Sequence, residues 1–365
     1  MTQPFPIVFA ADANFSVPLA IAVESLLVHA RPETRYDVYV LDDGVLDLAK
    51  GHLETLRERY DFRISYLPVA EMVQGVAATC YFPRVSFARF LIPRLLPESV
   101  GERILYCDAD VLICQDLSNL FQLGMESFPV GAITELGVKV IGGNSHTQRW
   151  KALLDNPEGA ETGNYVNSGV LLFNRSLWMA GGYAERILHM ARTERGRAAK
   201  YPDQDILNAV CRDNILSLPP CYNCVPYYGG CYVHGSEQFA AALANSPYTE
   251  AELASAAEKP CILHLAGPKP LVLEGARYPL EERFIQFWEQ SAWRDYMPYA
   301  PRIGSMSPSR FLKQNVPISA QLGVLRKELL KYTLSSCLPL PKRGHYAKQR
   351  DAIRKVLRHA RERCR

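Results

Sequence analysis

Short apolar runs alternate with amphipathic stretches near the start of the chain, and this alternation constrains the fold more than any other feature. Runs 6–11, 36–41 and 63–67 have the length and composition of strands, whereas apolar residues recur at helical spacing over 15–28 and 47–60. Strands separated by helices at this interval form βαβ units around a parallel sheet. The pattern therefore predicts an α/β fold in which a Rossmann-like, mostly parallel sheet is flanked by helices.

Similar elements continue to about residue 293. Further strands are predicted over 103–107, 130–134, 169–173 and 260–265, and further helices over 86–96, 203–211 and 279–293. Prolines and a glycine then accumulate from 298 to 317, which is typical of a linker. We therefore expect a folded unit over 1–295, with halves over about 1–110 and 111–295, a linker over 296–319 and a helical tail over 320–365.

The 365-residue chain has a formal net charge of only +3, but its charges are unevenly distributed. Residues 302–365 contain 16 Lys and Arg against 3 Asp and Glu, whereas residues 1–301 contain 25 against 35. Apolar residues share one helical face among these basic side chains, as in helices that lie on membranes. The tail is expected to bind an anionic membrane surface, an acidic glycolipid or a nucleic acid, or else to form a solvated hairpin on the body.

Two carboxylates that are separated by one small residue follow the predicted strand at 103–107. They belong to Asp108 and Asp110, with Ala109 leaving room for a ligand between them. The carboxyl ends of strands border the ligand crevice of an open α/β sheet, and paired carboxylates bind hard divalent cations. A solvated turn would have the same composition, but apolar runs on both sides favour a site at the sheet edge.

The loop after the first strand contains Ala11, Asp12 and Asn14. A nucleotide lies against this loop in Rossmann-like units, so Asp12 is a candidate for contacting a base or ribose. The alternative is that Asp12 simply caps the following helix. The chain has no G-x-G-x-x-G segment and no P-loop, which disfavours dinucleotide and ATP-type binding.

Polar residues also introduce two later apolar runs. Asn167 precedes the strand at 169–173, and Asp203 and Gln204 begin the helix at 203–211. Such residues are typical of the rim of a ligand site. Acidic residues at a helix N-terminus also stabilise it electrostatically without any ligand, so both interpretations stay open.

His264 ends the last predicted strand, and Gly267 and Lys269 follow it closely. A neutral imidazole can complete a manganese site with two carboxylates, and a lysine can bind a diphosphate. A structural histidine is the alternative. The spacing of Cys221 and Cys224 does not favour structural zinc, and the cysteines in apolar runs indicate a reducing compartment.

Several segments, in their order along the chain, resemble the retaining glycosyltransferases of family 8, in particular the bacterial lipooligosaccharide galactosyltransferases and glucosyltransferases. They are AADANF at 10–15, FARF at 87–90, LYCDADVLI at 105–113, NSGVLLFN at 167–174 and DQDILN at 203–208. The late family pattern H-x-x-G-x-x-K-P-W is matched less closely, because Lys269 comes one residue early and Leu271 replaces Trp. The resemblance covers about residues 7–293.

The resemblance implies a GT-A fold that binds a UDP-hexose donor through Mn²⁺ or Mg²⁺. The implied metal ligands are Asp108, Asp110 and His264. The implied donor-binding residues are Ala11, Asp12, Asn14, Arg89, Asp108, Ala109, Gly267 and Lys269. The implied catalytic residues, beside the donor sugar, are Asn167, Asp203 and Gln204. Glu135 is near the position where the family often has an aspartate that contacts the sugar or the acceptor, and its role is left open.

Gln204 would lie under the anomeric carbon on its β face. Double displacement with retention needs a nucleophilic carboxylate there, and an amide is a poor nucleophile. This favours attack by the acceptor from the face that the leaving group vacates, with the UDP phosphate as base. The expected acceptors are lipopolysaccharide or lipooligosaccharide cores or other cell-surface glycans. The basic tail would then hold a cytoplasmic enzyme on the inner face of the plasma membrane.

Two other classes of protein remain as alternatives. A haloacid-dehalogenase-type phosphatase also has a D-x-D-x-[TV] segment after a strand, but the later acidic loop of that class is missing from the sequence. A nucleic-acid-binding protein would explain the basic tail. Single-strand binders interleave aromatic and basic residues, which the tail does not do, so no nucleic-acid partner is expected.

Overall fold

The computed structural model describes residues 3–69, 72, 85–136, 152–154, 165–225, 243–244, 246–266 and 280–296. The predictions for Gly267 and Lys269, and for the linker and tail beyond residue 296, lie outside these residues. The boundary between the two proposed halves is likewise left as a prediction.

Seven of the nine described strands form one sheet. The strands are β1 (Phe5–Asp12), β2 (Tyr36–Asp43), β3 (Arg63–Pro68), β4 (Arg103–Asp108), β5 (Val111–Ile113), β6 (Val130–Ala132), β7 (Val170–Asn174), β8 (Ile215–Ser217) and β9 (Ile262–His264). The sheet order is β3-β2-β1-β4-β7-β6-β8, and β5 pairs with β9 in a second sheet. Only β7 runs antiparallel to its neighbours in the large sheet, which confirms the predicted mostly parallel α/β architecture.

Helices cover both faces of the large sheet. They are α1 (Ser16–Val28), α2 (Asp47–Thr55), α3 (Val85–Ala88), α4 (Ile92–Leu95), α5 (Arg175–Ala180), α6 (Tyr183–Arg192), α7 (Glu194–Arg197), α8 (Pro202–Cys211), α9 (Glu250–Glu258) and α10 (Glu281–Gln290). Helix α1 is predominantly apolar and is buried from Ser16 to Leu27, including the side chain of Glu24. This burial follows because α1 lies between β1 and the strand β5 of the second sheet.

Two hydrophobic cores lie on the two faces of the sheet. Alternation along β1 divides its side chains between them, with Ile7 and Phe9 in one core and Val8 in the other. The first core contains α1 and residues of β5, β9 and α10, and the second contains residues of α5, α6 and α8. Both faces of the central strands are therefore covered, as parallel strands require.

Several element predictions differ from the structure. The predicted helix 86–96 consists of α3, a 3₁₀ turn over Arg89–Leu91 and α4, which begins with a proline in its first turn. The predicted helix 47–60 ends at Thr55 and continues as a 3₁₀ turn over Leu56–Glu58. The reversed direction of β7 was not predicted, because an apolar run carries no information about strand direction.

Candidate active site

Two carboxylates and one imidazole meet at the carboxyl end of β4. Nε2 of His264 lies 3.4 Å from Oδ1 of Asp110 and 3.8 Å from Oδ2 of Asp108. One ligand atom from each of the three residues lies within 4.8 Å of the others, and no other group of His, Cys, Asp and Glu converges so closely in the described part of the chain. We refer to these three residues, which the resemblance implies as metal ligands, as the cation cluster.

The small second sheet brings His264 to the two aspartates. Strand β5 follows Asp110 and pairs antiparallel with β9, so that Val111 lies opposite His264. The backbone N–H of Leu265 donates to the carbonyl of Asp110 at 2.9 Å. Strand pairing therefore fixes the position of a histidine that is distant in the sequence.

Gly169 contacts the cation cluster from the start of β7. Its carbonyl accepts from the backbone N–H of Asp108 at 2.7 Å. A Cβ atom at this position would lie 2.2 Å from Cε1 of His264 and 2.8 Å from Oδ2 of Asp108. Because such contacts are too short for any side chain, only glycine leaves room for the cluster here.

The donor set of the cation cluster fits a divalent metal ion. Carboxylate oxygens together with an imidazole nitrogen suit Mn²⁺, and the carboxylates also suit Mg²⁺. His264 and Asp110 are buried, whereas the side chain of Asp108 keeps 24% of its exposure. A cation in the cluster would therefore be reachable by an anionic ligand from the side of Asp108.

A buried arginine joins the cation cluster to the start of α8. The guanidinium of Arg89 lies 3.0 Å from Oδ1 of Asp108 and 3.3 Å from Oδ2 of Asp203. It also donates to the carbonyls of Ser86 at 2.6 Å and Ser168 at 2.7 Å. Burial alone would lower the pKa of Arg89, but its carboxylate neighbours raise it, so the guanidinium stays charged.

Tyr106 contacts both partners of this ion pair. Its ring centroid lies 4.7 Å from Cζ of Arg89, and its hydroxyl donates to Oδ1 of Asp108 at 2.6 Å. Burial raises the pKa of Tyr106 well above its ordinary value, so the hydroxyl remains a donor. Tyr106 lies inside the family-like segment LYCDADVLI, but the sequence alone does not show that its hydroxyl reaches Asp108.

Asp203 is buried beside Arg89. Its Oδ2 accepts from the hydroxyl of Ser168 at 3.3 Å. Burial raises the pKa of Asp203, and the attraction of Arg89 only partly opposes this effect. The ion pair with Arg89 and the hydrogen bond from Ser168 hold this buried carboxyl group in place.

The amide of Gln204 is held at both ends. Its Oε1 accepts from the backbone N–H of Ser168 at 3.1 Å, and its Nε2 donates to the hydroxyl of Tyr165 at 3.3 Å. Tyr165 in turn donates to Asp205. Asp205 also accepts from the backbone N–H of Tyr201 at 2.9 Å, so this second aspartate of α8 orients the helix start and fixes Tyr165.

Asn167 links three parts of the site. Its Nδ2 donates to Oε2 of Glu135 at 2.9 Å, and its Oδ1 accepts from the backbone N–H of Gly169 at 2.8 Å. The same Oδ1 accepts from Nδ2 of Asn223 at 2.9 Å. Asn223 then contacts Nδ1 of His264 through its own Oδ1 at 2.8 Å. Asn223 was not predicted as a site residue, because it lies in a 3₁₀ turn over Pro220–Asn223 with no motif to mark it.

The residues of the first loop lie on the same edge of the sheet. The register of β1 and β4 places Ala10 opposite Asp108, so Asp12 lies just beyond the cation cluster on the neighbouring strand. Oδ1 of Asp12 accepts from the backbone N–H groups of Asn14 at 2.8 Å and Phe15 at 3.1 Å. Asp12 therefore caps the turn that precedes α1, while Ala11 is buried.

The cysteines form no comparable metal group in the described residues. Cys107 is buried, whereas Cys114 and Cys261, which flank β5 and β9, are only partly buried. Cys221 and Cys224 are also partly buried.

Comparisons with known proteins agree with this architecture. Residues 6–270 match glycosyl transferase family 8. General stress protein A of Bacillus subtilis is 24% identical over 289 residues, which cover 79% of this chain and 94% of that protein. Lipopolysaccharide 1,2-glucosyltransferase of Escherichia coli K12 is 25% identical over 220 residues, which cover 60% of this chain and 62% of that protein. Among solved structures, the galactosyltransferase LgtC in complex with donor and acceptor sugar analogs has a TM-score of 0.60 at 21% identity, covering 79% of this chain and 96% of LgtC.

The likeness to LgtC shows that the large sheet and its helices form a GT-A fold. None of the comparisons supports the phosphatase or the nucleic-acid-binding alternative. The matched region begins in β1 and extends past β9, so it contains the whole cation cluster, Arg89 and the start of α8. On these grounds the chain belongs to glycosyltransferase family 8.

Proposed function

We propose that the protein transfers galactose or glucose from a UDP-sugar to a saccharide acceptor, with retention of configuration and with Mn²⁺ or Mg²⁺ bound. The observation that carries this proposal is the convergence of the cation cluster, Arg89 and the start of α8 at one edge of the sheet. Membership of family 8 supports sugar transfer, and the relatives that act on lipopolysaccharide support a lipopolysaccharide core or another cell-surface glycan as acceptor.

Asp108, Asp110 and His264 would hold the cation. When bound, the cation would bind the diphosphate and stabilise the negative charge of the departing UDP. Arg89 carries a positive charge 3.0 Å from Oδ1 of Asp108, whereas His264 faces Oδ2 of the same carboxylate. Arg89 would therefore orient the donor from the Oδ1 side. Gly267 and Lys269 are proposed as further diphosphate contacts on the family pattern alone.

Asn167, Asp203 and Gln204 are proposed to line the sugar subsite. Asp203 and Gln204 begin α8, and hydrogen bonds to Ser168 tie both side chains to the segment between Asn167 and β7. Fixed carbonyl and carboxylate oxygens of this kind stabilise a positively charged anomeric centre electrostatically. The tethers described above therefore suit this subsite, because they leave little reorganisation for the moment of reaction.

The surroundings of Asp203 and Gln204 favour same-face attack over a covalent enzyme intermediate. A nucleophilic carboxylate must approach the anomeric carbon freely. Asp203 is buried and ion-paired to Arg89, and Gln204 is an amide. The acceptor would attack from the face that UDP vacates, with the donor phosphate taking its proton. A glycosyl adduct trapped on Asp203 or Asp205 in the native enzyme would overturn this part of the proposal.

The nucleotide would lie over the loop after β1, in the half of the fold formed by about residues 1–110. Asp12 and Asn14 are proposed to contact uridine and ribose, with the buried Ala11 allowing close approach. Oδ2 of Asp12 already accepts from the side chain of Asn14 at 3.1 Å, so the two residues would bind the nucleotide as a pair.

The basic tail is proposed to hold the enzyme on an anionic membrane. The support is its charge, with 16 Lys and Arg against 3 Asp and Glu over residues 302–365. None of the described helices is long and apolar enough to cross a membrane. Glycolipid acceptors on the inner face of the plasma membrane would place the enzyme in the cytoplasm beside that surface.

A panel of UDP-sugars without acceptor tests the proposed function. We expect slow release of UDP from UDP-galactose or UDP-glucose with Mn²⁺ and none with EDTA. p-Nitrophenyl phosphate serves as the control for phosphatase activity and should not be hydrolysed. Hydrolysis of the phosphate ester without turnover of any UDP-sugar would contradict the proposal.

A further inference from the structure

The contacts of Asn223 determine which nitrogen of His264 carries the proton. We infer that Asn223 is a positioning residue that holds His264 with Nδ1 protonated, leaving the Nε2 lone pair free to bind the cation. The inference rests on the proposed metal site. It follows from a series of hydrogen bonds whose donor and acceptor directions are set by the backbone N–H of Gly169.

The series of hydrogen bonds begins at Gly169. A backbone N–H can only donate, and that of Gly169 lies 2.8 Å from the side chain of Asn167. The atom of Asn167 that faces it must therefore be the oxygen Oδ1. This also places Nδ2 of Asn167 against the carboxylate of Glu135, at 2.9 Å, which is the favourable direction for that contact.

The orientation of Asn167 fixes that of Asn223. Oδ1 of Asn167 lies 2.9 Å from Asn223, and an oxygen acceptor requires the amide nitrogen of Asn223 at that place. The oxygen of Asn223 is then the atom that lies 2.8 Å from Nδ1 of His264. Because a carbonyl oxygen only accepts, Nδ1 of His264 must carry a hydrogen in this contact.

The other nitrogen of His264 faces the carboxylates. Nε2 lies 3.4 Å from Asp110 and 3.8 Å from Asp108, and in the Nδ1–H tautomer it presents a lone pair to the space between them. A neutral imidazole binds a metal through such a lone pair, and the partner of its second nitrogen sets the tautomer and the ring orientation.

All side chains in this hydrogen-bond series are buried. Asn223 is 4% exposed, and Asn167, Glu135 and His264 are 7%, 3% and 2% exposed. Water therefore cannot easily replace a lost hydrogen bond. The same hydrogen bonds connect the proposed cation site to Asn167 beside the proposed sugar site. Glu135 helps to orient Asn167, because it accepts from Nδ2 of that residue.

The tautomer can be measured directly in the metal-free, full-length protein. Two-bond proton–nitrogen correlation spectra of ¹⁵N-histidine-labelled protein distinguish Nδ1–H from Nε2–H, and loss of one signal set in His264→Gln assigns the residue among the eight histidines. We expect the Nδ1–H pattern for His264 in the wild type. Asn223→Asp keeps an acceptor for Nδ1 but loses the donor to Oδ1 of Asn167, so we expect the same pattern from a ring that is held less tightly. We expect that Asn223→Ala loses this pattern.

Metal affinity provides the second readout. Removing the partner of a metal-binding histidine weakens binding about 10–100-fold, so we expect this loss of Mn²⁺ affinity in Asn223→Ala, with partial recovery in Asn223→Asp. The matched control is Asn174→Ala, another buried amide, which contacts the carbonyl of Met125 at 2.9 Å and lies outside the cluster. Its Mn²⁺ affinity should match the wild type.

An Nε2–H pattern for His264 in the wild type would overturn the inference, as would unchanged Mn²⁺ affinity in Asn223→Ala. If Asn223→Ala does not fold, the wild-type spectrum still decides. Neither measurement uses a donor sugar. A wrong assignment of UDP-hexose would therefore appear only in turnover, and a wrong tautomer only in the spectra and metal titration.

Discussion

Replacing Arg89 with methionine removes the guanidinium that lies between the carboxylates of Asp108 and Asp203, while keeping a long side chain in its place. Arg89 and Asp203 are both 5% exposed, so Asp203 would remain buried without a counter-charge, whereas Asp108 can still reach water. Removing one partner of a buried ion pair costs about 3–5 kcal/mol. We expect the free energy of unfolding of metal-free Arg89→Met to fall by this amount at neutral pH.

The pH dependence identifies the charge responsible. Burial raises the pKa of Asp203 above 3.8, and Arg89 opposes this rise, so the Arg89→Met substitution should raise that pKa further. A carboxyl group with a raised pKa binds protons more readily in the folded than in the unfolded protein. Stability therefore increases as the pH falls from neutral through the raised pKa, by about 1.4 kcal/mol for each pH unit that separates the folded from the unfolded pKa. On acidification the variant should therefore gain more stability than the wild type. The difference between their free energies of unfolding should shrink.

Urea unfolding in EDTA, followed by tryptophan fluorescence at neutral and mildly acidic pH, measures both effects. Addition of Asp203→Asn to Arg89→Met should recover part of the loss, because the uncompensated charge is gone. The control is Arg94→Met, since Arg94 pairs with Glu185 at 3.1 Å on the surface and should contribute no more than about 1 kcal/mol. An equal, small loss in Arg89→Met and Arg94→Met, or no recovery with Asp203→Asn, would refute the reasoning.

Three further variants test the cation cluster, the tether of Gln204 and the basic tail. Gly169→Ala should abolish the rise in melting temperature that Mn²⁺ produces, because its Cβ would overlap the cation cluster, whereas Gly51→Ala, with nothing within 4 Å of its Cβ, should keep it. Tyr165→Phe removes the group that holds Nε2 of Gln204, so kcat for sugar transfer should fall about 10–100-fold while Mn²⁺ affinity is unchanged; equal kcat values would contradict the proposed role. Replacing the seven Lys and Arg residues over 350–365 with glutamine in the full-length chain should release the protein from anionic vesicles without changing UDP-sugar hydrolysis, and unchanged vesicle binding would count against the tail.

The parts of the site that the sequence predicts are those with local signals. The aspartates of the cation cluster follow an apolar strand, and strand ends in an α/β sheet border the ligand crevice. The pairing of β5 with β9 brings His264 to them, and the family pattern anticipates this histidine although the β5–β9 pairing itself has no local signal. The order of the first three strands likewise follows from short βαβ connections.

The parts that the sequence does not predict depend on contacts between distant segments. Asn223 lies in a 3₁₀ turn, and its two partners, Asn167 and His264, are remote from it in the sequence. The antiparallel direction of β7 is a property of the sheet and not of its apolar residues, yet it places Gly169 against the cation cluster. Tyr106 has the composition of a core residue, and only the fold shows that its hydroxyl reaches Asp108.

Titration of metal into the wild type and Asp108→Ala tests the central claim, that the cation cluster holds the ion required for chemistry on a UDP-hexose. We expect UDP release by the wild type to require Mn²⁺ or Mg²⁺, and Asp108→Ala to bind the ion weakly and to release no UDP at any metal concentration. The control is Asp61→Ala, which removes an exposed aspartate that pairs with Arg35 at 2.6 Å on the surface and should behave as the wild type. Metal-dependent UDP release by Asp108→Ala at the wild-type rate, or equal wild-type turnover in EDTA, would contradict the account.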